Sequence, residues 1–128
     1  MKCHWRRDYP VFADMHEASI TQSIIDSVLD TIETQGIKGN VIAVNLTVGV
    51  CQGLVPESMQ MYFDMIKQST PLNKAELLVS LQKMTARCLK CEKEHNLDIP
   101  VMYCPDCGET MELIHGKEII ISSIEVEE

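Results

Sequence analysis

Two pairs of cysteines carry the plainest chemistry in the chain. Cys88-Leu89-Lys90-Cys91 and Cys104-Pro105-Asp106-Cys107-Gly108 are separated by the twelve residues Glu92 to Tyr103. Two residues between thiols let one tight turn present both sulfurs to a single ion, and two such turns complete a tetrahedron. A closed four-thiolate sphere has no open position, so its work is structural and it leaves no room for a substrate. Zinc is the expected metal, with iron in a rubredoxin-like knuckle as the alternative, since iron also accepts four thiolates. Gly108 stands where a chain leaving such a turn needs positive φ. The spacer holds few apolar residues, so this segment is expected to fold with its metal rather than around a core.

A second group, Met15-His16-Glu17, opens an apolar helical period. Two readings stand side by side. In one, Asp14 and Glu17 form an acidic variant of the capping box and His16 is a solvated first-turn residue. In the other, His16 sits at the positive end of a helix dipole, which keeps the imidazole neutral and ready for a metal. Imidazole nitrogen suits nickel and copper, and planar nitrogen-rich sites suit Ni(II). Were Met15 the first residue, its amine, the adjacent amides and the His16 ring would close such a plane. Elsewhere, His95 reads as an exposed loop residue or a hydrogen-bond partner of a thiolate. His115, beside Gly116, reads as a turn residue, and Cys51 as a small buried hydrophobe. Met59, Met61 and Met65 read as helix packing rather than a copper site.

Composition narrows the classes. The chain has 128 residues, 45% of them hydrophobic, 23% charged and 5% aromatic, with a net charge of -8. So negative a surface repels phosphate backbones, and so few aromatics make a poor stacking platform, which argues against nucleic acid. No apolar run approaches the ~18 residues of a membrane span. Met1 to Asp14 lacks the apolar stretch of a secretory signal, so the expected location is the cytoplasm, where thiols stay reduced. No nucleophile–base pair or phosphate-cradling glycine loop stands at motif spacing, so the chain does not read as an enzyme.

The elements that must position these groups follow from periodicity. Ile20, Ile24, Ile25, Val28, Leu29 and Ile32 share a helical stripe that stops at Gly36. Ile42, Val44, Leu46 and Val48 alternate as a strand. Pro56 starts a second helix, with Met59, Tyr62, Phe63 and Ile66 inward, which Pro71 ends. Leu77, Val79 and Leu81 make a second strand running toward Cys88. A third, Glu118 to Val126, places Ile120, Ile124 and Val126 on one face. The expected fold is α+β: a small three-stranded sheet with two helices and an inserted zinc-ribbon domain. Its expected parts are an arm at 1–14, an α+β domain at 15–86 and 110–128, and a zinc-binding domain at 87–109.

Met15-His16-Glu17, the helix after it, Asn45-Leu46-Thr47-Val48-Gly49, the stretch Ser58 to Asp64, the two cysteine pairs and the terminal Ile124-Glu125-Val126 together resemble the HypA family. The resemblance covers residues 15 to 128. It implies a nickel metallochaperone of [NiFe] hydrogenase maturation, not an enzyme. His16 would be the nickel imidazole ligand, Met15 and Glu17 would give main-chain nitrogens, and Cys88, Cys91, Cys104 and Cys107 would hold zinc. The implied cofactors are Ni(II) and Zn(II). The implied partners are the GTPase HypB and the hydrogenase large subunit, with urease maturation a further role in some members. In the family the Met-His-Glu is the amino terminus, whereas fourteen residues precede it here. Either Met15 is the true start, which is the expectation, or the arm alters the site and Cys3 and His4 offer substitute ligands. A zinc-ribbon interaction module without nickel and a rubredoxin-like electron carrier remain the alternatives.

Overall fold

The computed structural model describes residues 2–3 and 17–127. Helix α1 (Glu17–Thr34) buries Ile20, Ile24, Ile25 and Val28 on the expected stripe, with Leu29 and Ile32 at its margin. Gly36 ends it at φ +62°: its N–H bonds Glu33 O and the Ile37 N–H reaches back to Ile32 O, the paired bonds of a left-handed cap. Ile32 and Ile37, the apolar pair that goes with this cap, both pack on the core. Helix α2 (Pro56–Ile66) has Pro at its first turn and turns Met59 and Phe63 fully inward.

Both helices pack on one face of a sheet whose strand order is β1-β7-β2-β3. Strands β2 (Asn40–Gly49) and β3 (Glu76–Gln82) run parallel, and β7 (Ile119–Glu127) lies antiparallel to β2. The two-residue strand β1 (Lys2–Cys3) pairs with the far side of β7, within the segment expected to be an arm. Two residues have no period, so nothing in the sequence marks them as a strand.

Bulges correct two of the expected strand faces. The β2–β7 ladder shifts register between Val41 and Ala43, leaving Ile42 as the extra residue, and Ile42 is 40% exposed while Val41 turns inward. It shifts again between Asn45 and Leu46, which face Ser123 and Ile121, so Ser122 is extra in β7. Ile119 and Ile121 are therefore inward before that bulge and Ile124 and Val126 after it, and Ile120 leaves the buried face. A bulge inverts a period-two pattern for every residue beyond it.

The strand expected to run from Leu77 toward Cys88 is two strands in different sheets. β3 ends at Gln82, and after Lys83 strand β4 (Met84–Cys88) pairs instead with β5 (Glu94–Leu97) and β6 (Met111–His115). This second sheet, of order β5-β4-β6, has a small core of its own: among the described residues Met84, Ala86, Cys88, Cys104 and Met111 are buried, and Val50 and Cys51 from the short turn after β2 pack against them. The sheets meet where Gly49 N–H bonds Glu118 O at 2.7 Å and Cys51 N–H bonds Gly116 O at 2.9 Å. A Cβ on Gly49 would overlap the Gly116 carbonyl.

Candidate metal centre

Strand β4 delivers Cys88 at its last residue, and a tight turn brings Cys91 beside it. The second pair, Cys104 and Cys107, occupies the loop before β6, held there by Cys104 N–H to Glu109 O and by the Tyr103–Thr110 bridge. Both pairs are the same knuckle. Glu92 N–H bonds Cys88 O at 3.1 Å, and Gly108 N–H bonds Cys104 O at 2.8 Å. In each, the residue after the second cysteine has positive φ: +62° at Glu92 and +78° at Gly108.

The two knuckles face each other. The sulfurs of Cys88 and Cys107 are 3.3 Å apart and those of Cys91 and Cys104 3.8 Å, and all four lie within 4.8 Å of one another. A zinc tetrathiolate with ~2.3 Å bonds has sulfur–sulfur edges of about 3.8 Å, so the donor set and its spacing fit a tetrahedral ion. Cys88 and Cys104 are buried while Cys91 and Cys107 reach the surface.

Hydrogen bonds prepare the sulfurs for charge. The N–H groups of Lys90 and Cys91 both point at Cys88 Sγ, each at 3.4 Å. The Cys91 N–H foremost, with help from Lys90 and the neighbouring thiols, brings the Cys88 thiol down to about 6 against the pull of burial. Cys107 and Cys91 meet the reverse. The Glu109 N–H lowers Cys107, but the neighbouring Cys88 thiolate, burial and the remaining thiols outweigh it and push Cys107 up to about 12. The Lys93 N–H likewise lowers Cys91, yet the net displacement there is upward for the same reasons. One thiolate forms easily and its neighbours then resist ionising, because like charges this close repel. A divalent cation removes that resistance.

His95, on β5 opposite Ala86 of β4, places Nε2 at 3.4 Å from Cys104 Sγ and 4.0 Å from an Asp106 carboxylate oxygen. It is partly buried, so of its two sequence readings the structure favours the thiolate partner. The nearby cations pair with carboxylates instead: Arg87 with Glu92, Lys90 with Glu109 and Lys93 with Asp106. Nothing in the sequence spacing singles out His95, because its approach depends on the β4–β5 register. Val50 and Cys51, in the short turn after β2, pack against the core beneath the cysteines; Cys51 was read as a small buried hydrophobe, but which core it joins was not visible in the sequence. Burial pushes the Cys51 thiol up, and Cys51 stands outside the cluster.

Of the second group, Met15 and His16 lie outside the described residues, as do Asp14 and the capping box that one of the two readings gave it. Glu17 is the first residue of α1; its carbonyl accepts the Thr21 hydroxyl at 2.6 Å, and the Val55 N–H at the start of α2 lies 3.5 Å from its Oε1. The entrance of α1 therefore lies beside the entrance of α2. Among the described residues, no helix is long and apolar enough to cross a membrane.

A family model described as hydrogenase/urease nickel incorporation, metallochaperone, matches residues 15–126. The chain is 33% identical over 114 residues to hydrogenase maturation factor HypA of Aquifex aeolicus, covering 88% of this chain and 98% of that protein. It is 34% identical over 115 residues to HypA of Caldanaerobacter subterraneus, covering 88% of this chain and 100% of that one. It is also 33% identical over 113 residues to guanidine hydrolase-activating protein A of Synechocystis, covering 87% and 94%. Among solved structures, the Ni metallochaperone HypA from Helicobacter pylori shares the fold with a TM-score of 0.63 at 17% identity, over 88% of this chain and 97% of that one.

Proposed function

The chain belongs to the HypA family of hydrogenase nickel-incorporation metallochaperones, and from that premise we propose that it binds Ni(II) transiently at the entrance of α1 and delivers it to the hydrogenase large subunit. The observation that carries this reading is where the family match begins, at Met15, immediately ahead of His16 and Glu17. On this reading the His16 imidazole and the main-chain nitrogens of Met15 and Glu17 hold nickel. Cys88, Cys91, Cys104 and Cys107, within the proposed zinc-binding unit 87–109, hold a resident zinc.

The division of labour follows from the donors. A thiolate tetrahedron with no spare position holds its ion and shapes the chain. A site of one imidazole and main-chain nitrogens lacks that closed thiolate sphere and suits an ion that is passed on. The GTPase HypB and the hydrogenase large subunit are the partners this reading implies. The cytoplasm, where the recipient folds, fits it as the location.

The test is a nickel titration of two forms, the 128-residue chain and one beginning at Met15, each with and without His16→Ala. Tight planar nitrogen coordination in the form beginning at Met15, lost in His16→Ala, supports the reading. Equal nickel loading and transfer by His16→Ala overturns it. The Synechocystis relative is as similar as the Aquifex one, so transfer is measured to a hydrogenase large subunit and to a guanidine hydrolase side by side.

A further inference from the structure

The sheet that carries the helices stops at β3, and its outer edge is closed along only part of its length. Gln60 of α2 donates its side-chain amide to Leu77 O at 3.2 Å, and Lys67 donates to Ala75 O at 2.8 Å. Leu77 O therefore points away from β2. Because backbone groups alternate sides along a strand, Val79 and Leu81 point their N–H and C=O groups the same way. Among the described residues no backbone bond from outside the sheet reaches either of them.

This open stretch lacks the devices that usually guard an edge. The β2–β3 register runs from Ala43–Glu76 to Gly49–Gln82 without a shift, so no bulge twists the edge away. Leu77 to Gln82 contains neither a charge nor a proline, and Leu78 and Leu81 stand 43% and 53% exposed. Native edges are ordinarily blunted by charge, bulge or proline. Next to it, where α2 closes the first half of the edge, lies a groove of about 460 Å³ lined by Gln60, Asp64, Lys67, Glu76, Leu77 and Leu78, among others.

We propose that the edge of β3 from Val79 to Leu81 receives an extended, lysine- or arginine-bearing segment of a partner protein, which pairs as a further strand beside the α2 groove. The backbone groups demand an extended chain, since only a strand matches donors and acceptors at this spacing. Leu81, on the same face of β3 as Leu77 and Val79, asks for an apolar side chain opposite it and leaves the alternate positions of the partner strand to basic residues. Charge selects between occupants: a second copy brings another net charge of -8 and is repelled, whereas a basic segment is attracted. The proposal stands on the sheet edge alone and does not depend on nickel binding.

The experiment uses the full chain loaded with zinc and follows amide hydrogen exchange by nuclear magnetic resonance. The probes are a synthetic peptide of alternating valine and lysine and its valine–glutamate counterpart. In the free chain, Val79 and Leu81 N–H should exchange faster than those of Leu78 and Ser80, which face β2. The valine–lysine peptide should slow Val79 and Leu81 and shift their resonances, and the valine–glutamate peptide should not. Leu81→Pro, which removes an outward N–H and spares the β2 ladder, should abolish the effect, as should Leu81→Lys, which adds a like charge. Slow exchange at Val79 and Leu81 in the free chain overturns the proposal, as does a peptide response that is absent or maps elsewhere. Equal binding of both peptides overturns the charge selection, and a dimer that Leu81→Pro dissociates shows a second copy to be the occupant instead.

Discussion

At 3.4 Å from Cys104 Sγ, His95 Nε2 is the only non-cysteine side-chain donor among the described residues that reaches the thiolate cluster. A donor on a metal-bound sulfur withdraws negative charge from a site that four thiolates and one divalent ion leave at a net charge of about -2. Partners of this kind typically change metal affinity by about 10–100-fold. His95→Ala should therefore lose metal to a competing chelator about tenfold more readily, and His95→Gln, which keeps an amide donor, should recover part of the loss. Chelator competition followed by colorimetry checks both. A different residue-scale effect separates the two knuckles. Glu92 adopts the left-handed conformation that Gly108 adopts freely, at a cost of about 1–2 kcal/mol for a residue with a Cβ. Glu92→Gly should stabilise the zinc-loaded chain by about 1 kcal/mol, since its exposed pair with Arg87 at 3.7 Å contributes little. Gly108→Ala should cost about as much, because nothing lies within 4 Å of the added Cβ and only the dihedral resists. Denaturant titration of the three forms gives the ordering.

At the scale of elements, the joint between the sheets depends on backbones approaching closer than side chains permit. Gly49 N–H bonds Glu118 O while its Cα faces the Gly116 carbonyl, and Glu118 holds the turn from the other side, accepting the Gly116 N–H at 2.8 Å and His115 Nδ1 at 3.1 Å. Gly49→Ala must push one sheet off the other, which should cost ~3 kcal/mol and lower the melting temperature markedly, whereas Gly36→Ala, with open space around it, should lower it far less. Scanning calorimetry distinguishes them. The same elements show what periodicity reveals and what it hides. The α1 stripe and the stop at Gly36 were legible because a single helix obeys one period from end to end, whereas Pro71 set only a latest end for α2, which stops at Ile66. Ile42 and Ile120 were misplaced because each bulge is fixed by the partner strand, and neither strand records the register alone. The break at Lys83 was hidden for the same reason: β3 and β4 are both extended, and only their partners differ. The cysteine pairs were fully legible, since their geometry is local, while His95 was legible only as one of two alternatives, the choice being set by strand pairing.

For the molecule as a whole, the two cores differ in what holds them. The helix-covered sheet buries long aliphatic side chains from two helices and three strands. The second sheet buries five residues, and two of those, Cys88 and Cys104, are candidate ligands. So small a core offers little apolar area against the conformational entropy of its loops, and the metal supplies the difference. Removing the ion should therefore unfold residues 84–115 while α1 and α2 persist: helical circular dichroism should stay nearly constant as amides of β4, β5 and β6 lose protection. Acid should act by the same route, with a sign fixed by the thiols. Cys88, lowered to about 6, is ionised at pH 7, while Cys91 and Cys107, both raised, keep their protons until the metal displaces them. Binding then releases at least two protons near neutrality, so zinc affinity should fall about a hundredfold or more per unit of pH lowered, and more steeply below pH 6, where Cys88 also takes up a proton. Calorimetric zinc titrations in buffers of differing ionisation enthalpy count the protons directly. A count below two near pH 7 would mean that Cys91 or Cys107 is already ionised beside Cys88, against the mutual repulsion of sulfurs 3.3 Å and 3.8 Å apart, and would overturn this account.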